Sequence, residues 1–115
     1  NMITEEYTSD ISTFFRAELG PDHLSDPDEY VRMSPIRFAD RIDLPFLIIH
    51  SEDDLRCPIS QAEELFVALR MRDKDVTFYR FPGEDHELSR SGSPVHRRQR
   101  AEILLDWFTE HLAPR

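Results

Sequence analysis

The sequence has 115 residues, 39% hydrophobic and 32% charged, with 14 basic and 23 acidic side chains giving a formal net charge of −9. That length holds one small domain at most, the apolar content excludes a fully disordered chain, and no apolar run approaches the roughly 18 residues of a membrane span. The acidic balance repels phosphate backbones, which excludes nucleic-acid binding unless a local basic patch provides it.

The first third predicts short helices broken by prolines. Between Thr8 and Pro21, apolar residues at Ile11, Phe14, Phe15 and Leu19 fall at helical spacing, with capping residues in front and a Gly20-Pro21 stop behind. Asp26-Pro27 is an N-cap followed by proline at the first helical position, and starts a short helix through Tyr30 that ends before Ser34-Pro35. The middle changes character. Residues 44–50, Leu44-Pro45-Phe46-Leu47-Ile48-Ile49-His50, form a continuous apolar run whose proline sits at the entry. Such a run predicts a strand buried on both faces, as in parallel sheets. A polar loop from Ser51 to Pro58 leads into a helix over about 59–70, with Ala62, Leu65, Phe66 and Leu69 on one stripe. A second strand over 76–81 follows, then a Pro82-Gly83 turn and the loop Glu84 to Pro94. The final helix, about 95–112, is expected to bury Ile103, Leu104, Trp107, Phe108 and Leu112. The basic stretch Arg90 to Arg100 reads as a solvated loop leading into this helix.

The fold class is therefore α/β, a βαβα unit preceded by short helices. A right-handed crossover sets its two strands parallel and brings the loops 51–58 and 83–94 to their carboxyl ends, where function gathers in such sheets. Two strands cannot cover Leu47 to Ile49, so residues 1–115 read as a single segment of an incomplete domain. Its neighbours come from further polypeptide or from a homo-oligomer formed through unpaired strands.

The first loop carries Glu52, Asp53 and Asp54; the second carries Glu84, Asp85 and His86. An Asp and a His on neighbouring strand ends suit a carboxylate that orients an imidazole through Nδ1–H while Nε2 accepts a proton. Loop carboxylates of an acidic protein are also commonly just solvated, and both readings stand at this level. No His-x-x-x-His, EF-hand or Cys-x-x-Cys spacing marks a metal site, and no cofactor is expected. His50 reads as a structural hydrogen-bonder and Cys57 as a small buried residue. Ser91 reads as part of a polar loop rather than a nucleophile; His23, His96 and His111 take no function. The lone Cys57 cannot form an internal disulfide, and with no signal-sequence pattern at the N-terminus it suggests a cytoplasmic location.

Four segments in order carry a resemblance. His50-Ser51-Glu52-Asp53-Asp54-Leu55-Arg56-Cys57-Pro58 looks like His-Gly-x-x-Asp-x-x-Val-Pro, and Phe81-Pro82-Gly83-Glu84-Asp85-His86 looks like a Pro-Gly-x-x-His segment. With Tyr30 to Ile36 upstream and Leu104 to Phe108 downstream, the chain resembles the C-terminal end of the catalytic domain of prolyl oligopeptidase family serine peptidases. It is most similar to their acylaminoacyl-peptidase-like branch. The resemblance implies an α/β-hydrolase fold and a Ser-Asp-His triad in that chain order. Asp54 would be the acid and His86 the general base, with Asp53 the rival acid; the distance to Pro58 favours Asp54. It also implies a peptide substrate, short or N-acylated. Arg90 resembles a family position whose contact, substrate or acid, stays open. Ser51 stands where the family usually has glycine. No Gly-x-Ser-x-Gly elbow occurs, so the nucleophile is expected outside this chain and the isolated chain is expected to be inactive. A carboxylesterase of the same fold and a non-catalytic self-associating module are the alternatives.

Overall fold

The computed structural model describes residues 1–112. Four short helical segments come first: α1 (Met2–Thr8), α2 (Ser12–Leu19), α3 (Pro27–Met33) and a 3₁₀ helix (Pro35–Arg41). The unit that follows is β1 (Phe46–Ser51), α4 (Ser60–Arg70), β2 (Val76–Phe81), α5 (Leu88–Ser91) and α6 (Pro94–Leu112). β1 and β2 pair in parallel, from Phe46 opposite Val76 to Ser51 opposite Phe81. α4 makes the crossover, and its Ala62 and Leu69 meet Ala39, Ile48 and Val76 in the core, with Leu65 and Phe66 packed at its margin.

Local chemistry accounts for several boundaries. The Asp26 side chain accepts the Glu29 N–H and Pro27 occupies the first turn, as the cap-proline pair predicts. The helix it starts runs through Tyr30 to Met33 and ends before Ser34-Pro35, as expected. The helix expected behind Thr8 begins only at Ser12, because Thr8 closes α1, a helix the local pattern did not predict. α5 likewise occupies a stretch expected to be a loop, and the 3₁₀ helix a stretch with no predicted element.

Burial departs from expectation at two elements. β1 is not covered on both faces: Ile48 and Ser51 are buried, while Phe46, Leu47, Ile49 and His50 are only half-buried. Beside it runs an open groove of about 300 Å³ lined by Phe46, Leu47, Ile49, Leu104, Trp107 and Phe108. α6 buries none of its side chains. Ile103, Leu104 and Trp107 are half-buried, and Phe108 and Leu112 are 53% and 72% exposed. The reason is geometric. A 19-residue helix is about 28 Å long, whereas two paired strands offer a platform only about 10 Å wide.

Candidate active site

β1 and β2 end side by side, and their pairing continues into the loops beyond them. Glu52 N–H donates to the Phe81 carbonyl and Asp53 N–H to the Glu84 carbonyl, both at 3.0 Å. The loop after β1 and the loop after β2 are thus joined backbone to backbone before either presents a side chain.

Asp54 is buried, 6% exposed. Its Oδ1 accepts the N–H groups of Arg56 at 2.9 Å and Cys57 at 2.8 Å, a local turn that fixes the carboxylate plane. Its Oδ2 lies 3.0 Å from His86 Nδ1. A carboxylate can only accept, so Nδ1 carries the proton and Nε2 is the ring atom left for proton exchange. The His86 side chain is 45% exposed, so the pair has a buried acid and an accessible imidazole. Asp53 is exposed, and the hydrogen bond to His86 comes from Asp54.

The floor of this pair is His50, at the end of β1. Its Nε2–H donates to the Cys57 carbonyl at 2.7 Å and stands 3.5 Å from Asp54 Oδ2. That is the structural hydrogen bond anticipated for it. Ser51 is buried in β1 and has no left-handed backbone angle, so it takes the usual glycine position without strain. The Cys57 thiol is pushed up to about 11 by burial, then by the charge of Glu5 and a hydrogen bond to it. A thiol that stays protonated at neutral pH is a poor nucleophile.

The acid loop is braced by a segment that local sequence reasoning missed. Just past α1, Ser9 Oγ donates to the Arg56 carbonyl at 2.6 Å and Asp10 N–H to the Leu55 carbonyl at 2.8 Å. Arg56 Nε also pairs with Asp10 Oδ1 at 2.7 Å, a hydrogen bond that holds the Asp10 carboxyl below its ordinary range. Nothing near Ser9 or Asp10 in sequence announces these partners.

The remaining candidates scatter. Glu52 pairs with Arg80 at 2.8 Å, away from His86. Asp85 accepts the Glu87 N–H, and Arg90 pairs with Glu87 from a side chain 75% exposed. Ser91 is exposed at the end of α5. Among the described residues, no group of three or more His, Cys, Asp or Glu side chains is placed to hold a metal ion.

Compared with known proteins, residues 1–115 match the prolyl oligopeptidase family over their whole length. The chain is 41% identical over 113 residues to an uncharacterized peptidase of Bacillus subtilis, a match covering 97% of this chain and 17% of that protein. It is 30% identical over 93 residues to acylamino-acid-releasing enzyme 2 of Oryza sativa subsp. japonica, covering 81% of this chain and 11% of that one. The uncomplexed acylaminoacyl peptidase of Pyrococcus horikoshii superposes with a TM-score of 0.89 at 32% identity, over 96% of this chain and 18% of that one. The chain therefore spans less than a fifth of the length of these relatives.

Proposed function

Because the chain belongs to the prolyl oligopeptidase family, as a C-terminal βαβα portion of its α/β-hydrolase fold, we propose that it supplies two members of a serine-hydrolase triad, Asp54 and His86. The observation that carries this reading is the 3.0 Å contact between Asp54 Oδ2 and His86 Nδ1, with the other carboxylate oxygen held by two backbone N–H groups. The serine belongs to polypeptide outside these residues, since the sequence contains no Gly-x-Ser-x-Gly elbow.

In the complete enzyme the serine hydroxyl attacks the carbonyl carbon of a peptide. His86 Nε2 takes the hydroxyl proton as the new bond forms and returns it to the leaving amine. Asp54 keeps the proton on Nδ1 and stabilises the imidazolium between those two transfers. Water then repeats the sequence to release the acyl group, with His86 again acting as base. Short or N-acylated peptides are the substrates in this reading, supported by the names of the rice and Pyrococcus relatives. The free Cys57 supports a cytoplasmic site of action.

The test is turnover of an N-acylated peptide anilide by the full-length protein. His86→Ala is expected to remove on the order of 10³-fold or more of kcat, leaving the residual rate that binding and the oxyanion hole provide. Unchanged turnover of the anilide by that variant would remove His86 from the mechanism. Cleavage of esters but not anilides by the unaltered protein would instead identify an esterase.

A further inference from the structure

Glu84 lies two residues before His86, takes no part in the proton transfers, and is nonetheless buried, 6% exposed. A buried carboxylate needs partners, and this one has them. Its Oε1 accepts the Ser93 N–H at 3.0 Å and faces His96 Nδ1 at 2.6 Å; its Oε2 lies 3.3 Å from the same Ser93 N–H. The hydrogen bond from His96, with those from Ser93, holds the Glu84 carboxyl below the ordinary glutamate range, so it is ionised at neutral pH.

These partners form the entry to α6. Ser93 Oγ accepts the His96 N–H at 3.2 Å, and the Phe81 ring packs edge-on against the His96 imidazole at 5.5 Å, so the ring that Glu84 engages is itself fixed. The carboxylate sits where the helix leaves unsatisfied N–H groups and a positive dipole end, which favours the anion. Gly92 leaves the space for it: a Cβ there would stand 2.6 Å from Glu84 Oε2 and 2.6 Å from the Leu88 carbonyl oxygen. At its other end, the Glu84 backbone carbonyl accepts the Asp53 N–H at 3.0 Å. One residue therefore connects the loop bearing Asp54, the loop bearing His86 and the first turn of α6.

We propose that Glu84 is a positioning residue for the triad: anchored on α6 through Ser93 and His96, it fixes the separation of Asp54 and His86 through the backbone on either side of it. The proposal rests on the reading of those two residues as acid and base. Only two peptide units separate Glu84 from His86, so a carboxylate that loses its hold on α6 releases the imidazole directly. A displacement of about 1 Å in a catalytic group can cost on the order of 10²-fold in rate.

The experiment compares Glu84→Ala and Glu84→Gln with His86→Ala in the full-length protein. It reads kcat and KM on an N-acylated peptide anilide together with the downfield proton resonance of His86 Nδ1–H. Glu84→Ala is expected to lower kcat by on the order of 10²-fold with little change in KM, the pattern of a lost transition-state geometry, and to shift or broaden the resonance. Glu84→Gln keeps an oxygen for the Ser93 N–H but offers His96 a neutral acceptor in place of the carboxylate, and should recover only part of both. Folded Glu84→Ala with unchanged kcat and resonance overturns the proposal. So does a loss of activity that only follows the loss of folded protein while the resonance stays in place. Should Glu84→Ala fail to fold, Glu84→Gln decides: an intermediate fall in kcat with a moved resonance supports the proposal, and unchanged values of both overturn it. Retained activity in His86→Ala overturns the triad reading, and this proposal with it. Its loss there, beside two Glu84 variants that behave like the unaltered protein, overturns the positioning role alone.

Discussion

Asp54 divides its two oxygens between different tasks. Oδ1 closes the turn with Arg56 and Cys57, and Oδ2 faces the imidazole. An amide in its place would keep its oxygen on the two backbone donors and turn its NH₂ toward His86. Donor would then face donor, so the ring would have to protonate Nε2 and could no longer accept the serine proton. Asp54→Asn is accordingly expected to keep the fold and lose about 10⁴-fold in kcat, the scale seen when a triad carboxylate becomes an amide. Asp53→Asn should leave turnover unchanged, because the Asp53 side chain is exposed and its link to the second loop runs through the backbone. Steady-state kinetics of the two variants on one anilide substrate check this, and a crippled Asp53→Asn would reverse the assignment. At this scale the sequence was informative where a residue acts with its own side chain. Asp54 and His86 are visible as an acid and a base in the loops at the strand ends, and the family resemblance separates Asp54 from Asp53. Ser9 does not, because it acts on the backbone of a residue 47 positions away. Glu84 was visible as a loop acid, but its tie to α6 emerges only when the helix entry is in place.

Among the elements, β1, α4, β2 and α6 are legible because each carries its own pattern: an apolar run, an apolar stripe at helical spacing, and proline or glycine punctuation. α1 has seven residues and no comparable stripe. Its support is distant, with Met2 N–H on Ser34 Oγ at 2.8 Å, Asn1 Nδ2 on Glu64 at 2.8 Å, and Gln61 Nε2 on Thr4 Oγ1 at 2.8 Å. A helix this short is unstable alone, so tertiary contacts decide it. The end of α4 is a local matter and yields a prediction. Lys74 N–H reaches back to the Leu69 carbonyl and Asp73 N–H to the Arg70 carbonyl, both at 3.1 Å, with Asp73 at φ 54°. This is a helix terminus that favours glycine at the left-handed position. Asp73→Gly should stabilise the domain by about 1 kcal/mol, since Gly removes the Cβ penalty of that conformation. A denaturant titration of the full-length protein should show the midpoint rise, and a fall would mean that the Asp73 side chain contributes more than its backbone costs.

For the whole molecule, shape and surface agree. The Cα radius of gyration is 16.0 Å, whereas a closed domain of this length has about 13 Å. The molecule is elongated, 48 × 33 × 21 Å along its principal axes, and β1 and α6 leave a shared groove open, with Trp107 half-buried and Phe108 53% exposed beside it. β1 also has a single strand neighbour, so its other edge presents unpaired backbone groups among the described residues. A parallel sheet is stable when both faces are covered and its strands have neighbours, and two strands rarely suffice. The isolated 115-residue chain is therefore expected to cover this face with copies of itself. It should leave gel filtration as an oligomer or aggregate despite its net charge of −9, and a serine-directed phosphonate should not label it. The same probe should label the full-length protein if, as proposed, further polypeptide covers the groove and brings a nucleophile to His86. An isolated chain that runs as a monomer and melts cooperatively would mean that the β1–α6 face is stable in water. The proposed incomplete domain would then be wrong, while the pairing of Asp54 with His86 would stand on its own geometry.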